Sequence, residues 1–208
     1  MVDLKAHWDN VWQTKPTECT SWYQSTSAWS LEFIDRIKLD KSVPVVDIGS
    51  GASKLIDAFI DLGFSDITAL DISASAFTQS KQRLGLAANR VFFIEADVLR
   101  WQPKRRYQLW HDRAVFHFLI QQNDVDNYVR TLATSLGKGA IFICGSFSSL
   151  GPDKCSGLPV QKYDASLMAV TFGHWFDLIA SEVEIHITPA GAEPVSYTHL
   201  RAHETKPN

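Results

Sequence analysis

Residues 43 to 53 read Val-Pro-Val-Val-Asp-Ile-Gly-Ser-Gly-Ala-Ser: a short apolar run, an acid at Asp47, and glycines at 49 and 51. Behind them, Ser53 to Leu62 carries Leu55, Ile56, Phe59, Ile60 and Leu62 at helical spacing, with Gly63 placed to cap its C-terminus. A strand, a glycine turn and a helix are expected in that order. The same beat repeats downstream. Ile67 to Asp71 reads as a second strand and Ala74 to Leu84 as a second helix, followed by Gly85. Arg90 to Asp97, Tyr107 to His111 and Ala140 to Gly145 read as further strands, and Asp124 to Leu136 as a helix stopped by Gly137-Lys-Gly139. Strands alternating with helices of about ten residues imply right-handed crossovers and a parallel sheet covered on both faces. Near-continuous apolar strands fit that burial. The expected fold class is α/β: a doubly wound, mostly parallel sheet with helices on both faces.

Upstream, residues 1–40 read as a helical cap crowded with Trp8, Trp12, Trp22, Tyr23 and Trp29. Ser30 to Lys38 has helical spacing, with Ser30 as the expected N-cap. Near the other end, Asp164 is expected to cap a helix. A length of 208 residues predicts one domain, here residues 1–193, followed by an atypical tail at 194–208.

Composition narrows the function classes. Hydrophobic residues make up 45% and charged residues 21%, so the chain has enough apolar surface to build a core. The net charge of -3 gives nucleic acid no electrostatic footprint, and no such partner is expected. Three widely spaced cysteines, Cys19, Cys144 and Cys155, form no CxxC pair. No secretory leader or membrane-length apolar run is visible, and a cytoplasmic chain with no membrane partner is expected.

In doubly wound sheets, ligands sit outside the carboxyl ends of the strands. Three consecutive strand ends carry acids here. Asp47 precedes the turn Gly49-Ser-Gly51-Ala-Ser53, whose glycines let the backbone approach a ligand. Asp71 follows Gly51 by twenty residues, a spacing at which an acid can accept both hydroxyls of a ribose. Asp97, between Ala96 and Val98, can accept the amino group of an adenine. A dinucleotide site asks for a third glycine where Lys54 stands, and a P-loop is absent. That leaves an adenosine ligand without phosphates. S-adenosylmethionine is the candidate, because Asp47 repels a pyrophosphate yet suits an ammonium.

These segments, Asp47-x-Gly49-x-Gly51-x-Ser53, Asp71-Ile72-Ser73, Ala96-Asp97-Val98 and His111-Asp-Arg-Ala114, resemble the ordered motifs of class I S-adenosylmethionine-dependent methyltransferases. The front of the chain, His7-Trp8-Asp9 and Ser21-Trp22-Tyr23, resembles the small members related to protein-lysine methyltransferases. The resemblance implies a seven-stranded sheet and S-adenosylmethionine as cofactor, with S-adenosylhomocysteine as product. It implies Asp47, Gly49 and Gly51 at the methionine end of that cofactor. Asp71 falls at the ribose and Asp97 at the adenine, flanked by Ala96 and Val98, with Ser53 and Ile72 also implied as cofactor-binding residues. Trp22 and Tyr23 are implied as a cover, an aromatic face favourable to a sulfonium.

Methyl transfer needs alignment above all, and a base only when the acceptor arrives protonated. Asp112 is the expected acid or base at the acceptor site, with His111 and His117 as candidate bases by their ordinary pKa. Arg113 is read as pairing with Asp112 or clamping a carboxylate substrate. No metal site is expected. The acceptor is a protein side-chain amine or a small molecule. A module that binds the cofactor without turnover, and a nucleotide-dependent oxidoreductase, are the competing readings.

The tail departs from the resemblance. The family sheet ends in two antiparallel strands, the first matched by Phe176 to Ile187. After it, only Val195 to Leu200 has strand character. The string to Asn208 also resembles translated adapter sequence, so residues from about 195 are expected to be foreign and the last strand degraded.

Overall fold

The computed structural model describes residues 3–20, 22–113, 115–188 and 191–202. Two N-terminal helices, α1 (Leu4–Thr14) and α2 (Ala28–Ile37), precede the sheet. Then follow β1 (Val45–Ile48), α3 (Leu55–Asp61), β2 (Ile67–Asp71), α4 (Ala74–Leu84), β3 (Val91–Glu95) and β4 (Tyr107–Arg113). The second half holds α5 (Gln122–Ser135), β5 (Leu136–Phe147), the short hairpin β6 (Lys154–Cys155) and β7 (Leu158–Pro159), α6 (Ala165–Phe172), β8 (Phe176–Thr188) and β9 (Gly191–Ala202).

Seven strands form one sheet in the order β3-β2-β1-β4-β5-β9-β8. The first five run parallel, and β9 is antiparallel to both β5 and β8. This is the expected α/β sheet. Strand order reverses at β1, which lies between β2 and β4. A ligand crevice is therefore expected above the ends of these three strands.

Side chains alternate across the sheet and divide the core in two. On β5, Ile141 and Ile143 pack with Phe33, Ile34, Leu55, Phe59 and Phe77 on one face. Phe142 and Cys144 pack with Trp110, Phe116, Tyr128 and Phe172 on the other. Trp110, Tyr128 and Phe142 are completely enclosed. Each such side chain stabilises the fold by about 1.5–3 kcal/mol through lost apolar surface.

Several local expectations shift. Ser30 lies inside α2, and Ser27 holds the N-cap position. Gly137-Lys-Gly139 does not end α5 as a loop. Strand β5 already starts at Leu136 and runs through both glycines, with an irregular pairing between Tyr107 and Leu109. Asp164 caps α6 as expected, accepting the amide hydrogen of Leu167 at 2.9 Å. The last strand is longer than Val195 to Leu200: β9 covers 191–202, and its residues 195–201 pair with 141–147.

Candidate active site

The glycine turn is shaped by what lies on top of it. Gly49 and Gly51 have φ of +62° and +52°, a region that side chains rarely adopt. A Cβ at Gly49 would meet Val115 Cγ2 at 2.1 Å, and one at Gly51 would meet the Trp12 ring at 2.5 Å. Both glycines are required by close approach as well as by backbone conformation. Helix α1 thus seats directly on the turn.

Two adjoining clefts open over the strand ends. The first, of about 110 Å³, is partly open to solvent. It is lined by Gly49, Asp71, Ile72, Ala96, Asp97 and Val98 from the ends of β1, β2 and β3. Arg113 lines it from the end of β4, Val115 and Phe118 from beyond that strand, Cys155 from β6, and Leu4, Trp8, Trp12 and Trp22 roof it. The second, of about 50 Å³, is lined by Asp47, Gly49, Ser50, Gly51, Ser53, Trp22, Tyr23, His111 and Arg113, among others. All eleven residues expected around the cofactor therefore line one cleft or the other.

Asp71 is buried, and its carboxylate is held from two sides. Gly51 and Ser73 each donate a backbone N–H to it at 2.9 Å. Burial pushes its pKa up to about 6, against the opposing pull of those two amides, with the Asp47 and Asp9 charges adding to the rise. Asp97 accepts the Leu99 amide at 2.9 Å and lies 3.7 Å from Arg100. Asp47 is buried, with one oxygen 2.7 Å from His111 Nδ1 and the other without any hydrogen-bond partner. An unpartnered buried carboxylate oxygen costs about 1–3 kcal/mol, which a donor group on a ligand would offset.

The roof is fastened to the strand ends by polar contacts. Ser73 donates its hydroxyl to Asp9 at 2.6 Å, and Lys5 reaches Asp9 and Glu95, each at 2.9 Å. Inside it, Trp22 meets the edges of Trp8 and Trp12 at 5.6 and 5.7 Å, and Trp8 meets Phe118 at 5.3 Å. Trp8 and Trp12, read from the sequence as part of the aromatic cap, and Val115 are not among the expected site residues. The crowding of tryptophans before the glycine turn was the available signal.

The three groups expected as acids or bases lie elsewhere or are committed. Asp112 is completely enclosed on the opposite side of β4 from His111. One of its oxygens accepts the amides of Val115 and Phe116 at 2.9 and 3.2 Å, and the other accepts the Tyr128 hydroxyl at 2.5 Å. It lines neither cleft, because adjacent strand residues point to opposite faces. His111 does line the second cleft, but Asp47 engages Nδ1 and Ser30 Oγ lies 2.8 Å from Nε2. His117 is buried, stacked on Phe147 at 4.8 Å, and lines neither cleft. Burial, with the Arg113 charge, holds its pKa down to about 3, so the ring is neutral at pH 7. Arg113 does not pair with Asp112. It donates to the Trp22 carbonyl at 2.8 Å, tying strand β4 to the aromatic roof.

Among the described residues, no group of three His, Cys, Asp or Glu side chains is arranged to hold a metal ion. No helix of these residues is long and apolar enough to cross a membrane.

Comparison with known proteins places this geometry. The family described as "Methyltransferase domain" matches residues 45–139. The "eEF1A lysine and N-terminal methyltransferase" of Mus musculus is 24% identical over 149 residues, 68% of this chain and 21% of that protein. The chain thus spans about a fifth of that relative's length. An S-adenosylmethionine-dependent methyltransferase from Anabaena variabilis superposes with a TM-score of 0.75 at 13% identity, covering 98% of this chain and 96% of that one. The 1,6-didemethyltoxoflavin-N1-methyltransferase of Burkholderia thailandensis, bound to its substrate and S-adenosylhomocysteine, gives 0.72 at 16% identity, covering 96% and 87%. Residues 45–139 match the methyltransferase-domain family, and the chain has the fold of S-adenosylmethionine-dependent methyltransferases.

Proposed function

We propose that this chain binds S-adenosylmethionine in the paired clefts and transfers its methyl group to a protein side-chain amine or a small molecule. The observation that carries the reading is the placement of Asp47, Asp71 and Asp97, at the ends of three neighbouring strands, on two adjoining clefts that share Trp12 and Trp22. The residues fit the ligand chemically. Asp47 has an unpartnered oxygen for an ammonium. Asp71 is placed for ribose hydroxyls, and Asp97 with Ala96 and Val98 for an adenine edge and its faces. Ser53 and Ile72 complete the lining of the turn and the β2 end.

When bound, the cofactor supplies a methyl group on a positively charged sulfur. The chain's part is to orient and enclose. Trp22, shared by both clefts, offers an aromatic face to a cation and is steadied by Arg113 on its carbonyl. Trp8, Phe118 and Val115 exclude water from the crevice. Neither Asp112 nor His117 faces it, and both ring nitrogens of His111 are engaged. Acceleration then rests on proximity and alignment of the reacting atoms at about 3–3.5 Å.

Both acceptor classes have support among relatives. The mouse relative is named for lysine and N-terminal methylation, and the Burkholderia structure holds a small heterocycle. Calorimetry with S-adenosylmethionine and with NAD tests the cofactor: binding of the first and not the second is expected, and the reverse refutes the reading. Incubation of a cell lysate with methyl-labelled cofactor tests the acceptor, according to whether label runs with protein or with small molecules. No labelled product from either fraction, with cofactor bound, would favour a module that binds without turnover.

A further inference from the structure

Asp47 and His111 are register partners on the neighbouring strands β1 and β4, so their side chains stand side by side on one face of the sheet. His111 Nδ1 lies 2.7 Å from one oxygen of Asp47, and His111 Nε2 lies 2.8 Å from the hydroxyl of Ser30 on α2. All three side chains are buried. The order carboxylate, imidazole, hydroxyl is that of a hydrolase triad. Here the hydroxyl cannot act on a substrate, because Ser30 is fully enclosed and lines neither cleft. The open end of the chain is the opposite one: the second oxygen of Asp47, buried, unpartnered and on a residue that lines the cleft beside the glycine turn.

We propose that Ser30 and His111 are positioning residues that orient Asp47 to receive the cofactor's α-ammonium. The proposal rests on the cofactor reading above. A carboxylate only accepts hydrogen bonds, so Nδ1 of His111 carries the hydrogen that faces Asp47, which leaves Nε2 to the Ser30 hydroxyl. That pair of bonds fixes the imidazole plane and its tautomer, and the imidazole fixes the carboxylate rotamer. One oxygen is consumed by the ring, which leaves the other for a ligand. Helix α2 is thereby tied to the methionine end of the site through a buried polar chain, although Ser30 touches no ligand itself. The role differs from that of a base, since neither ring nitrogen is left to take a proton from the acceptor.

The test compares two probes by calorimetry on the full chain: S-adenosylhomocysteine, and its analogue lacking only the α-amino group. The wild type is expected to prefer the amino-bearing ligand by about tenfold or more, as a charged hydrogen bond implies. Ser30→Ala, and His111→Gln, which lacks the ring hydrogen at Nδ1, are each expected to shrink that preference toward one. Binding of the analogue should be unchanged in both, which also reports that the variants are folded. Ser30→Thr keeps the hydroxyl and should keep the preference. Equal loss for both ligands would mark Ser30 and His111 as merely structural and overturn the proposal, as would no loss for either. Equal affinities in the wild type overturn it without any variant. A wild type that binds neither probe refutes the cofactor reading instead.

Discussion

The hydroxyl of Tyr128 donates to Asp112 across 2.5 Å of fully enclosed core, while Asp112's other oxygen gathers the amides of Val115 and Phe116. Tyr128 sits on α5, so this contact anchors the turn after β4 to a helix behind the sheet. That turn carries Val115, whose methyl lies where a Cβ of Gly49 would stand. Asp112 acts on the site from behind, through the backbone it holds. Asp112→Ala leaves the tyrosine hydroxyl and two amides without their acceptor. A loss of stability on the order of 3 kcal/mol is expected. Urea denaturation measures it, and an unchanged midpoint would show the network to be dispensable.

Asp112 and Asp71 share an electrostatic signature. Burial pushes both carboxyl pKa values from the ordinary 3.8 up to about 6. Between those two pH values the folded chain holds more protons than the unfolded chain, so stability falls as pH rises through the window. Each group accounts for about 3 kcal/mol of that fall. His117 acts with the opposite sign: its pKa is depressed to about 3, so the folded state gains stability as pH rises toward 6.5. The clean readout is the difference between wild type and Asp112→Asn. That difference should drift against the wild type from about pH 4 to about pH 6. A flat difference across that range would refute the assignment to Asp112.

Gly51→Ala brings together two penalties at one residue. It forces a side chain into positive φ and pushes a methyl group into the Trp12 ring. A cost of about 1–3 kcal/mol is expected from the backbone alone. The clash should also lift α1 from the turn, so cofactor affinity should drop together with a change in tryptophan fluorescence. Retention of both the affinity and the emission spectrum would mean that α1 does not seat on Gly51.

Asp71→Ala removes the acceptor placed for ribose and frees the Gly51 and Ser73 amides. S-adenosylmethionine affinity should fall by about 1.5–3 kcal/mol, as loss of charged hydrogen bonds implies. Calorimetry of the variant against wild type checks this, and equal affinities remove Asp71 from the site.

The tail offers a different kind of test. Residues 195–201 pair with β5 in the sheet interior, yet Ser196, Thr198, His199 and Arg201 are polar. Resequencing the source locus is expected to show a reading frame that departs from this chain near residue 195. An unbroken frame through Asn208 would make the polar strand native.

The parallel half of the sheet was legible because local pattern and global role coincide there. The apolar runs around Asp47 and up to Asp71 are fully buried strands, the run before Asp97 is the half-exposed edge strand β3, and the ends of all three open on the clefts. The glycine turn was legible because only glycine tolerates both its φ values and its close neighbours. The acid and base assignments after β4 were not. A one-residue step along a strand reverses the face, and sequence spacing alone did not say whether His111 or Asp112 looked toward the cleft. Ser30 misled for a related reason: a serine near a helix start signals a cap, but its partner lies 81 residues away.

By itself, then, the sequence determined the alternation of strand and helix, the turn, and which acids could meet an adenosine ligand. These are properties of neighbours along the chain. Tertiary structure decided which polar groups are spent on the fold and which face the ligand. Asp47 keeps one oxygen open while His111, itself held by the distant Ser30, engages the other, and both oxygens of Asp112 are taken up by Tyr128 and two amides. Hydrogen-bond capacity is finite, and only the assembled sheet shows where it is used.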